Sequence, residues 1–229
     1  MEQTIPFKTI AYVKSDFKEK FGIPRQSGRA PSLQSEIVYL PKYANADAFR
    51  EIEGFSHLWL LFDFSLAHRE EFTPTVRPPR LGGNTRVGVF ASRSPFRPNP
   101  IGLSCVKLEK IAMTENGVSL IVSGADLLDG TPIFDVKPYL PFADCVPTAT
   151  AGYAANGENH RLQVDFPETL LQRLPKEKQA GVLECLADDP RPSYQEDPSR
   201  LYGMRFGEYE IKFQVENDVL TVLQVEKAV

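Results

Sequence analysis

An arginine-rich part of the chain has no carboxylate to balance its charge. Between Phe72 and Leu108 there is no Asp or Glu, and six basic residues give this basic stretch a local charge of +6. They are Arg77, Arg80, Arg86, Arg93, Arg97 and Lys107. Guanidinium groups bind phosphates and carboxylates through paired hydrogen bonds and stack on bases. The stretch therefore indicates a surface for an anionic ligand or, about as readily, a solvated face whose partners lie elsewhere in the fold.

Alternating prolines lie within the same stretch, in the run Ser94-Pro95-Phe96-Arg97-Pro98-Asn99-Pro100. Each proline fixes its own φ and drives the preceding residue into extended backbone, so the loop is stiff. We expect it to present carbonyl groups that no strand ladder uses, between the side chains of Arg93 and Arg97. A rigid connector is the alternative, but the arginines and Asn99 favour a clamp for a ligand.

Three carboxylates follow in a second polar segment, at Asp126, Asp129 and Asp135. Carboxylates act as general bases or as metal ligands. The spacing does not match a calcium-binding EF-hand loop, and Asp129-Gly130 is also typical of a tight turn. The three histidines are isolated and the three cysteines form no CxxC pair. No metal site is therefore predicted.

A third polar segment precedes these two, at Ile23-Pro24-Arg25-Gln26-Ser27-Gly28. The glycine at its end permits close approach of the backbone to a ligand. A plain surface loop is the alternative interpretation.

The elements that must position these loops are mostly β-strands in the first two thirds of the chain. Apolar residues alternate in several short segments, and His57 to Phe64 is expected to be a strand buried on both faces. Arg86 to Phe90 also fits a strand, and one short helix is predicted from an Asn45 cap to a Gly54 stop. Many short strands joined by Pro- and Gly-rich turns predict a mainly β fold, with an N-terminal β-barrel domain over residues 1–150. After a small polar linker, residues 151–229 predict a small α+β domain. It has a helical pattern that Pro175 interrupts and a final β-hairpin around residues 216–218.

Length and composition place the chain among ordinary globular proteins. It has 229 residues, 42% apolar and 24% charged, with a net charge of −4. These values exclude a disordered chain and a membrane bundle. No secretory signal pattern is found at the N-terminus, and the odd number of cysteines indicates free thiols, so a cytoplasmic protein without a membrane segment is expected.

The net charge by itself argues against a nucleic-acid binder, because such domains are usually basic. The charge is unevenly divided, however. Residues 1–150 carry 17 basic and 16 acidic side chains, a net +1, and residues 151–229 carry 9 and 14, a net −5. The acidic total therefore conceals the basic stretch.

Taken together, the three polar segments resemble the TsaA/TrmO family of tRNA methyltransferases. The matching pieces are PRQSG, FSHLWLLFDF, RPPRLGGNTRVGVFASRSPFRPNPIGLS and DLLDGTPIFDVKPYLPFAD. The resemblance implies the β-barrel and α+β domains, S-adenosylmethionine as methyl donor, and a homodimer. It also implies methylation of N6 of threonylcarbamoyladenosine at position 37, beside the anticodon of threonine tRNA. No GxGxxG loop is found, which agrees with a fold other than the doubly wound one.

The resemblance and the loop chemistry together assign roles to individual residues. Arg93 is expected to bind the carboxylate of the donor, Phe96 and Leu103 to pack on its adenine, and Asp129 or Asp135 to act as an optional catalytic base. The phosphate contacts of tRNA are expected from Arg77, Arg80, Arg86 and Arg97. The full set of expected donor-binding residues is Arg25, Gln26, Ser27, His68, Arg69, Arg93, Phe96, Pro98, Asn99, Pro100, Leu103, Asp126, Leu127, Leu128, Asp129 and Gly130.

Two other functions remain open at this point. One is a non-catalytic RNA-binding β-barrel module in which the arginine loop only grips phosphate. The other is a small-molecule hydrolase or carrier in which the loop clamps an acidic metabolite.

Overall fold

The structure is a computed structural model that describes residues 4–78, 81, 84–157, 160–192 and 197–228. Over these residues it is mainly β, as the sequence predicts. Three short helices lie at α1 Pro141–Asp144, α2 Glu168–Leu171 and α3 Lys176–Ala187. The strands are β1 Ala11–Lys14, β2 Gln34–Tyr39, β3 His57–Asp63, β4 Thr75–Val76, β5 Val87–Gly88, β6 Ile101–Thr114, β7 Gly117–Ser123, β8 Pro132–Pro138, β9 Gln163–Asp165, β10 Tyr202–Phe206, β11 Tyr209–Glu216 and β12 Val219–Lys227.

Six of these strands form the N-terminal sheet, in the order β1-β2-β7-β6-β3-β8. Strand β1 pairs with β8 as well as with β2, so the ring of pairings is closed. All six pairings are antiparallel. Loops that leave this sheet carry the three polar segments, except for Asp135, which lies on β8.

Strand β3 shows which face of the N-terminal sheet points into the core. Leu58, Leu60 and Phe62 are almost fully buried, whereas the residues between them are only half-buried. The prediction that this strand is buried on both faces is therefore wrong. Its second face borders loops and a cavity rather than another apolar layer.

The part of the basic stretch that precedes β6 forms little regular structure. Strands β4 and β5 pair over two residues each, and a 3₁₀ turn at Val89–Ala91 follows directly. The strand predicted near residues 86–90 therefore ends at Gly88. The short helix predicted from Asn45 to Gly54 is instead two 3₁₀ turns, Ala46–Phe49 and Ile52–Gly54. The predicted cap is present, because the Asn45 side chain accepts a hydrogen bond from the Asp47 N–H at 3.0 Å.

The C-terminal part is a four-stranded sheet in the order β10-β11-β12-β9, with α2 and α3 beside it. Pro175 separates the two helices, as predicted, because proline cannot continue the hydrogen-bond ladder. The predicted hairpin is also confirmed: Asn217 and Asp218 both adopt positive φ between β11 and β12.

Two apolar clusters form the core, and one of them joins distant parts of the chain. The cluster under the C-terminal sheet includes Phe17, Ala30 and Leu33, which precede β2. Ion pairs and hydrogen bonds support this packing, among them Lys178 Nζ to Asp16 Oδ1 at 2.5 Å. The segment between β1 and β2 therefore packs on the C-terminal sheet, and its loop at residues 23–28 is fixed from that side. No helix in the described part of the chain is long and apolar enough to cross a bilayer.

Candidate functional site

Loops of the N-terminal sheet enclose a cavity of about 1110 Å³, here named the inner cavity. Its walls come from the end of β3, the start of β6, residues 23–27, the loop at residues 92–100 and the turn at residues 126–131. This volume slightly exceeds the usual range for small-molecule sites, about 300–1000 Å³. The cavity therefore has room for a cofactor-sized ligand.

The loop at residues 92–100, here the proline-arginine loop, is fixed by its own side chains. The Ser94 N–H donates to Ser92 Oγ and the Phe96 N–H to Ser94 Oγ, both at 3.3 Å. The Arg97 guanidinium donates to the Ser92 carbonyl at 3.1 Å. Prolines and these turns together make the loop rigid before any ligand binds.

The carbonyl groups of this loop are less available than the sequence suggests. Those of Pro95, Asn99 and Pro100 accept backbone N–H groups at 3.0, 2.7 and 2.8 Å. The expectation concerned strand ladders, and these three bonds come instead from turns in the loop and from Phe64, the residue after β3. The ligand-binding capacity of the loop therefore rests mainly on its side chains.

Arg93 links two of the cavity walls. Its guanidinium donates to Gln26 Oε1 at 2.5 Å, which ties the proline-arginine loop to residues 23–27. An arginine guanidinium has several N–H donors, so the Arg93 side chain can still donate hydrogen bonds to an anionic ligand.

Asp126 is a half-buried carboxylate that lines the inner cavity. Ser104 Oγ donates to its Oδ1 at 2.6 Å. Burial raises the pKa of Asp126 above its ordinary value, and the Ser104 hydrogen bond, the charge of Arg93 and the Ser27 N–H partly oppose that rise. A cation bound in the cavity would compensate for the cost of this buried charge.

A second recess, here the outer groove, adjoins the inner cavity and has a volume of about 1830 Å³. It runs between the basic stretch and the C-terminal part. Among the described residues, eight cationic side chains line it against two carboxylates. The cations are Lys20, Arg25, Arg29, Arg69, Arg77, Arg86, Arg93 and Arg191, and the carboxylates are Asp188 and Asp189.

Both carboxylates of the outer groove are already paired. Arg29 Nε lies 2.5 Å from Asp188, and Arg191 Nε lies 2.9 Å from Asp189. The remaining cations give the groove a positive field, which suits a polyanion.

Comparison with known proteins gives the family. Residues 12–145 match the model of the tRNA-methyltransferase O N-terminal domain, and residues 159–228 match that of the TrmO C-terminal domain. The chain belongs to the tRNA-methyltransferase O family. The family resemblance of the sequence is thereby confirmed.

Relatives of known description cover almost the whole chain. The tRNA (adenine(37)-N6)-methyltransferase of Escherichia coli strain K12 is 42% identical over 228 residues, 96% of this chain and 97% of that one. A Pseudomonas aeruginosa protein, named as a candidate S-adenosylmethionine-dependent methyltransferase, is 42% identical over 94% of this chain and 95% of its own. A crystal structure of TrmO from P. aeruginosa superposes with a TM-score of 0.80 at 36% identity, over 100% of this chain and 99% of that one.

In this member of the tRNA-methyltransferase O family, ten of the sixteen residues expected to bind a methyl donor line the inner cavity. They are Arg25, Gln26, Ser27, Arg93, Pro98, Asn99, Leu103, Asp126, Leu127 and Leu128. Pro100, Asp129 and Gly130 are adjacent in sequence to lining residues but are not themselves in its described lining. The roles assigned to these residues stay predictions.

The other three expected donor residues lie near the cavity in different ways. His68 Nε2 contacts Asp63 at 2.8 Å, and Asp63 lines the inner cavity. The Arg69 guanidinium lies 3.7 Å from the ring centre of Phe96, and both line the outer groove.

The two expected catalytic carboxylates are engaged outside the inner cavity. Asp129 accepts from the Ser15 N–H at 2.9 Å and from Lys18 Nζ at 2.7 Å. Asp135 pairs with Lys137 at 2.9 Å on strand β8. Of the three carboxylates in the second polar segment, Asp126 is the one that lines the cavity, so a base role for Asp129 or Asp135 stays a prediction.

The expected RNA-contacting arginines divide between the two recesses. Arg77 and Arg86 line the outer groove, and Arg86 also donates to Thr75 Oγ1 at 2.9 Å. Arg97 lines the inner cavity. Arg80 lies outside the described residues.

Sequence reasoning missed Trp59, which lines the inner cavity and donates its indole N–H to Asp144 at 2.9 Å. The alternation of β3, which places Trp59 on the face opposite Leu58 and Leu60, was the available signal. Gly102 was also undervalued: a Cβ there would lie 2.1 Å from the Phe62 ring, so glycine lets that ring form the cavity floor. In the described part of the chain, no group of three His, Cys, Asp or Glu residues is arranged to hold a metal.

Proposed function

We propose that this protein is an S-adenosylmethionine-dependent tRNA methyltransferase, which methylates N6 of threonylcarbamoyladenosine at position 37 of threonine tRNA. The family is that of tRNA-methyltransferase O, and curated relatives are named tRNA (adenine(37)-N6)-methyltransferase. The threonylcarbamoyl group and the threonine tRNA come from the family resemblance of the sequence.

One observation carries the proposal: the inner cavity and the outer groove share a wall. Arg25, Gln26, Phe90 and Arg93 line both recesses. A cofactor-sized ligand in the cavity and a polyanion in the groove therefore meet at one place. Transfer of a small group between two substrates needs this proximity, which supplies much of the rate.

The side chains of the inner cavity suit the methyl donor. S-adenosylmethionine, when bound, supplies a methyl group on a positively charged sulfonium. Asp63 and Asp126 give the cavity two carboxylates that favour a cationic ligand, and Arg93 is suited to the carboxylate of its amino acid tail. Leu103 and Leu127 provide apolar surface for a nucleobase.

Proton removal completes the proposed reaction. Methyl transfer to a ureido nitrogen releases one proton, and the conjugated N–H is acidic enough that a base is optional. Asp129 and Asp135 remain the candidate bases of this proposal. Each lies beside a lysine, Lys18 at 2.7 Å from Asp129 and Lys137 at 2.9 Å from Asp135.

The proposal also covers the domain architecture and the oligomeric state. The closed N-terminal sheet serves as the barrel of the catalytic domain, with the domain boundary near residue 150. Two copies form a homodimer in the cytoplasm, where tRNA is modified. A dimer presents two basic grooves to one tRNA and completes surfaces across a twofold axis. Sedimentation velocity tests this part directly, since a monomer at micromolar concentration would contradict it.

The decisive experiment is methyl transfer with purified components. The protein is incubated with S-adenosylmethionine labelled in the methyl group and with threonine tRNA that either carries or lacks the threonylcarbamoyl group. Label is expected only in the modified tRNA, in the N6-methylated nucleoside after digestion. Tight tRNA binding without donor binding by calorimetry would favour the non-catalytic RNA module. Transfer to both tRNAs alike would contradict the proposed acceptor.

A further inference from the structure

Two exposed phenylalanines stand together at the edge of the shared wall. Phe72 is 57% exposed and Phe90 is 73% exposed. Their rings are roughly parallel, with centroids 6.4 Å apart and 25° between planes. Scattered apolar side chains are common on protein surfaces, but a stacked pair beside a charged recess marks an interaction site.

The backbone holds Phe90 in place without a ligand. Phe90 belongs to the 3₁₀ turn Val89–Ala91, whose Val89 side chain is buried in the fold. The Val89 N–H donates to the Pro74 carbonyl at 2.9 Å, and Ser92 Oγ donates to the Val89 carbonyl at 2.8 Å. The exposed ring is therefore preorganised, so that little conformational entropy is lost when it binds a partner.

The surroundings of the pair determine the chemistry of its partner. Phe90 lines the outer groove together with Arg69, Arg77 and Arg86, and the two carboxylates of that groove are occupied by arginines. A flat apolar ring beside several cations fits a partner with a flat apolar face and nearby negative charges. Unpaired nucleotides have both, since their bases stack on aromatic side chains while their phosphates contact arginine.

We infer that Phe72 and Phe90 form a stacking platform for an unpaired base next to the target adenosine in the anticodon loop. The inference rests on the proposed function and deepens it, because it assigns recognition of the single-stranded loop to these rings. A base stacked on Phe90 places its neighbour at the wall that the outer groove shares with the inner cavity.

The test compares variants by their affinity for an anticodon stem-loop RNA, measured by fluorescence anisotropy. Phe90→Ala is expected to raise the Kd roughly tenfold, within the range of losses on removing one stacked aromatic. Phe90→Tyr is expected to keep the affinity, whereas Phe90→Leu is expected to lose most of it because leucine is apolar without a flat face. Phe72→Ala is expected to lose a smaller factor.

The matched control is Phe142→Ala, a change at a ring that is 87% exposed but not in the described lining of either recess. It is expected to leave the RNA affinity unchanged. Stem-loops with an abasic nucleotide on either side of the target sharpen the test. With the abasic nucleotide at the stacked position, the RNA should bind the wild-type protein as weakly as intact RNA binds Phe90→Ala. Combining the abasic RNA with Phe90→Ala should cause no further loss of affinity.

Salt dependence separates stacking from charge. Phe90→Ala should leave the slope of log Kd against log salt unchanged, whereas Arg86→Ala should reduce it by about 0.7.

The inference would be overturned by wild-type affinity in Phe90→Ala, by equal losses in Phe142→Ala, by full affinity in Phe90→Leu, or by a dimer that dissociates on Phe90→Ala. If wild type itself neither binds nor methylates the stem-loop, the proposed function has failed. If wild type does both and the Phe90 variants match it, the stacking inference alone has failed.

Discussion

The inner cavity and the outer groove share residues yet differ in chemistry. The cavity has a half-buried carboxylate and apolar surface, with Asp126 under Ser104 and Leu103 beside it. The groove has arginines on an open surface, and its own carboxylates are neutralised by Arg29 and Arg191. The cavity also has cationic side chains, at Lys20, Arg25, Arg93 and Arg97, so it suits a ligand that carries both charges, whereas the groove suits a polyanion. Substitutions should accordingly affect one ligand much more than the other.

Arg93 belongs to the shared wall and should give the largest effect. Arg93→Ala removes the guanidinium expected to bind the donor carboxylate and also leaves Gln26 Oε1 without its donor. We expect donor affinity, measured by calorimetry, to fall by at least ~30-fold, corresponding to ~2 kcal/mol for losing a charged pair. Arg205→Ala, an exposed arginine of β10 outside both described linings, is the control and should not change it. Donor affinity within a factor of two of wild type would refute the role of Arg93.

Gly102 tests whether the cavity floor depends on the core of the N-terminal sheet. In Gly102→Ala the new methyl group would lie 2.1 Å from the Phe62 ring, so the ring must shift. Overpacking of this kind costs about 1–3 kcal/mol, which should lower the melting temperature by several degrees. Gly88→Ala is the matched control, because a Cβ there has nothing within 4 Å. Equal melting temperatures for the two variants would show that the floor is adaptable.

Arg86 and Arg77 test the groove alone. Replacing either with alanine should weaken tRNA binding severalfold at moderate salt and reduce the salt slope by about 0.7 to 0.9 per residue. Donor affinity should stay unchanged, since neither side chain lines the inner cavity. A loss of donor affinity in Arg86→Ala would contradict the separation of the two recesses.

Asp126 gives the smallest effect, and it depends on pH. Its raised pKa means that the native state binds more protons than the unfolded state just above pH 3.8, so this group lowers stability as pH rises through that window. Asp126→Asn removes the buried charge while still accepting from Ser104. Its melting temperature should exceed that of wild type at pH 7 to 8, and the difference should vanish below about pH 4. A difference independent of pH would contradict this explanation.

Sequence patterns that span only a few residues were enough to predict several structural features. The Asn45 cap, the break at Pro175 and the hairpin at Asn217 and Asp218 follow from residues a few positions apart. The family and the gathering of three polar segments at one cavity could also be predicted, because the motifs themselves are distinctive.

Contacts between distant residues explain what could not be predicted. The sequence gives no sign that Asp126, rather than Asp129, lies in the cavity, because that depends on how the turn after β7 meets Ser15 and Ser104. Trp59 was overlooked because its neighbours in β3 belong to the core. The half-buried outer face of that strand depends on loops that pack from elsewhere.

The apolar residues between β1 and β2 have a consequence for how the chain is made. Phe17 and Leu33 leave the ribosome well before strands β10 and β12, whose Met204 and Leu220 belong to the same core cluster. The early segment must therefore remain exposed until those strands have been made, and exposed apolar surface favours aggregation and chaperone binding. A ribosome-bound chain stalled before β10 should be more sensitive to protease around Phe17 than the finished chain.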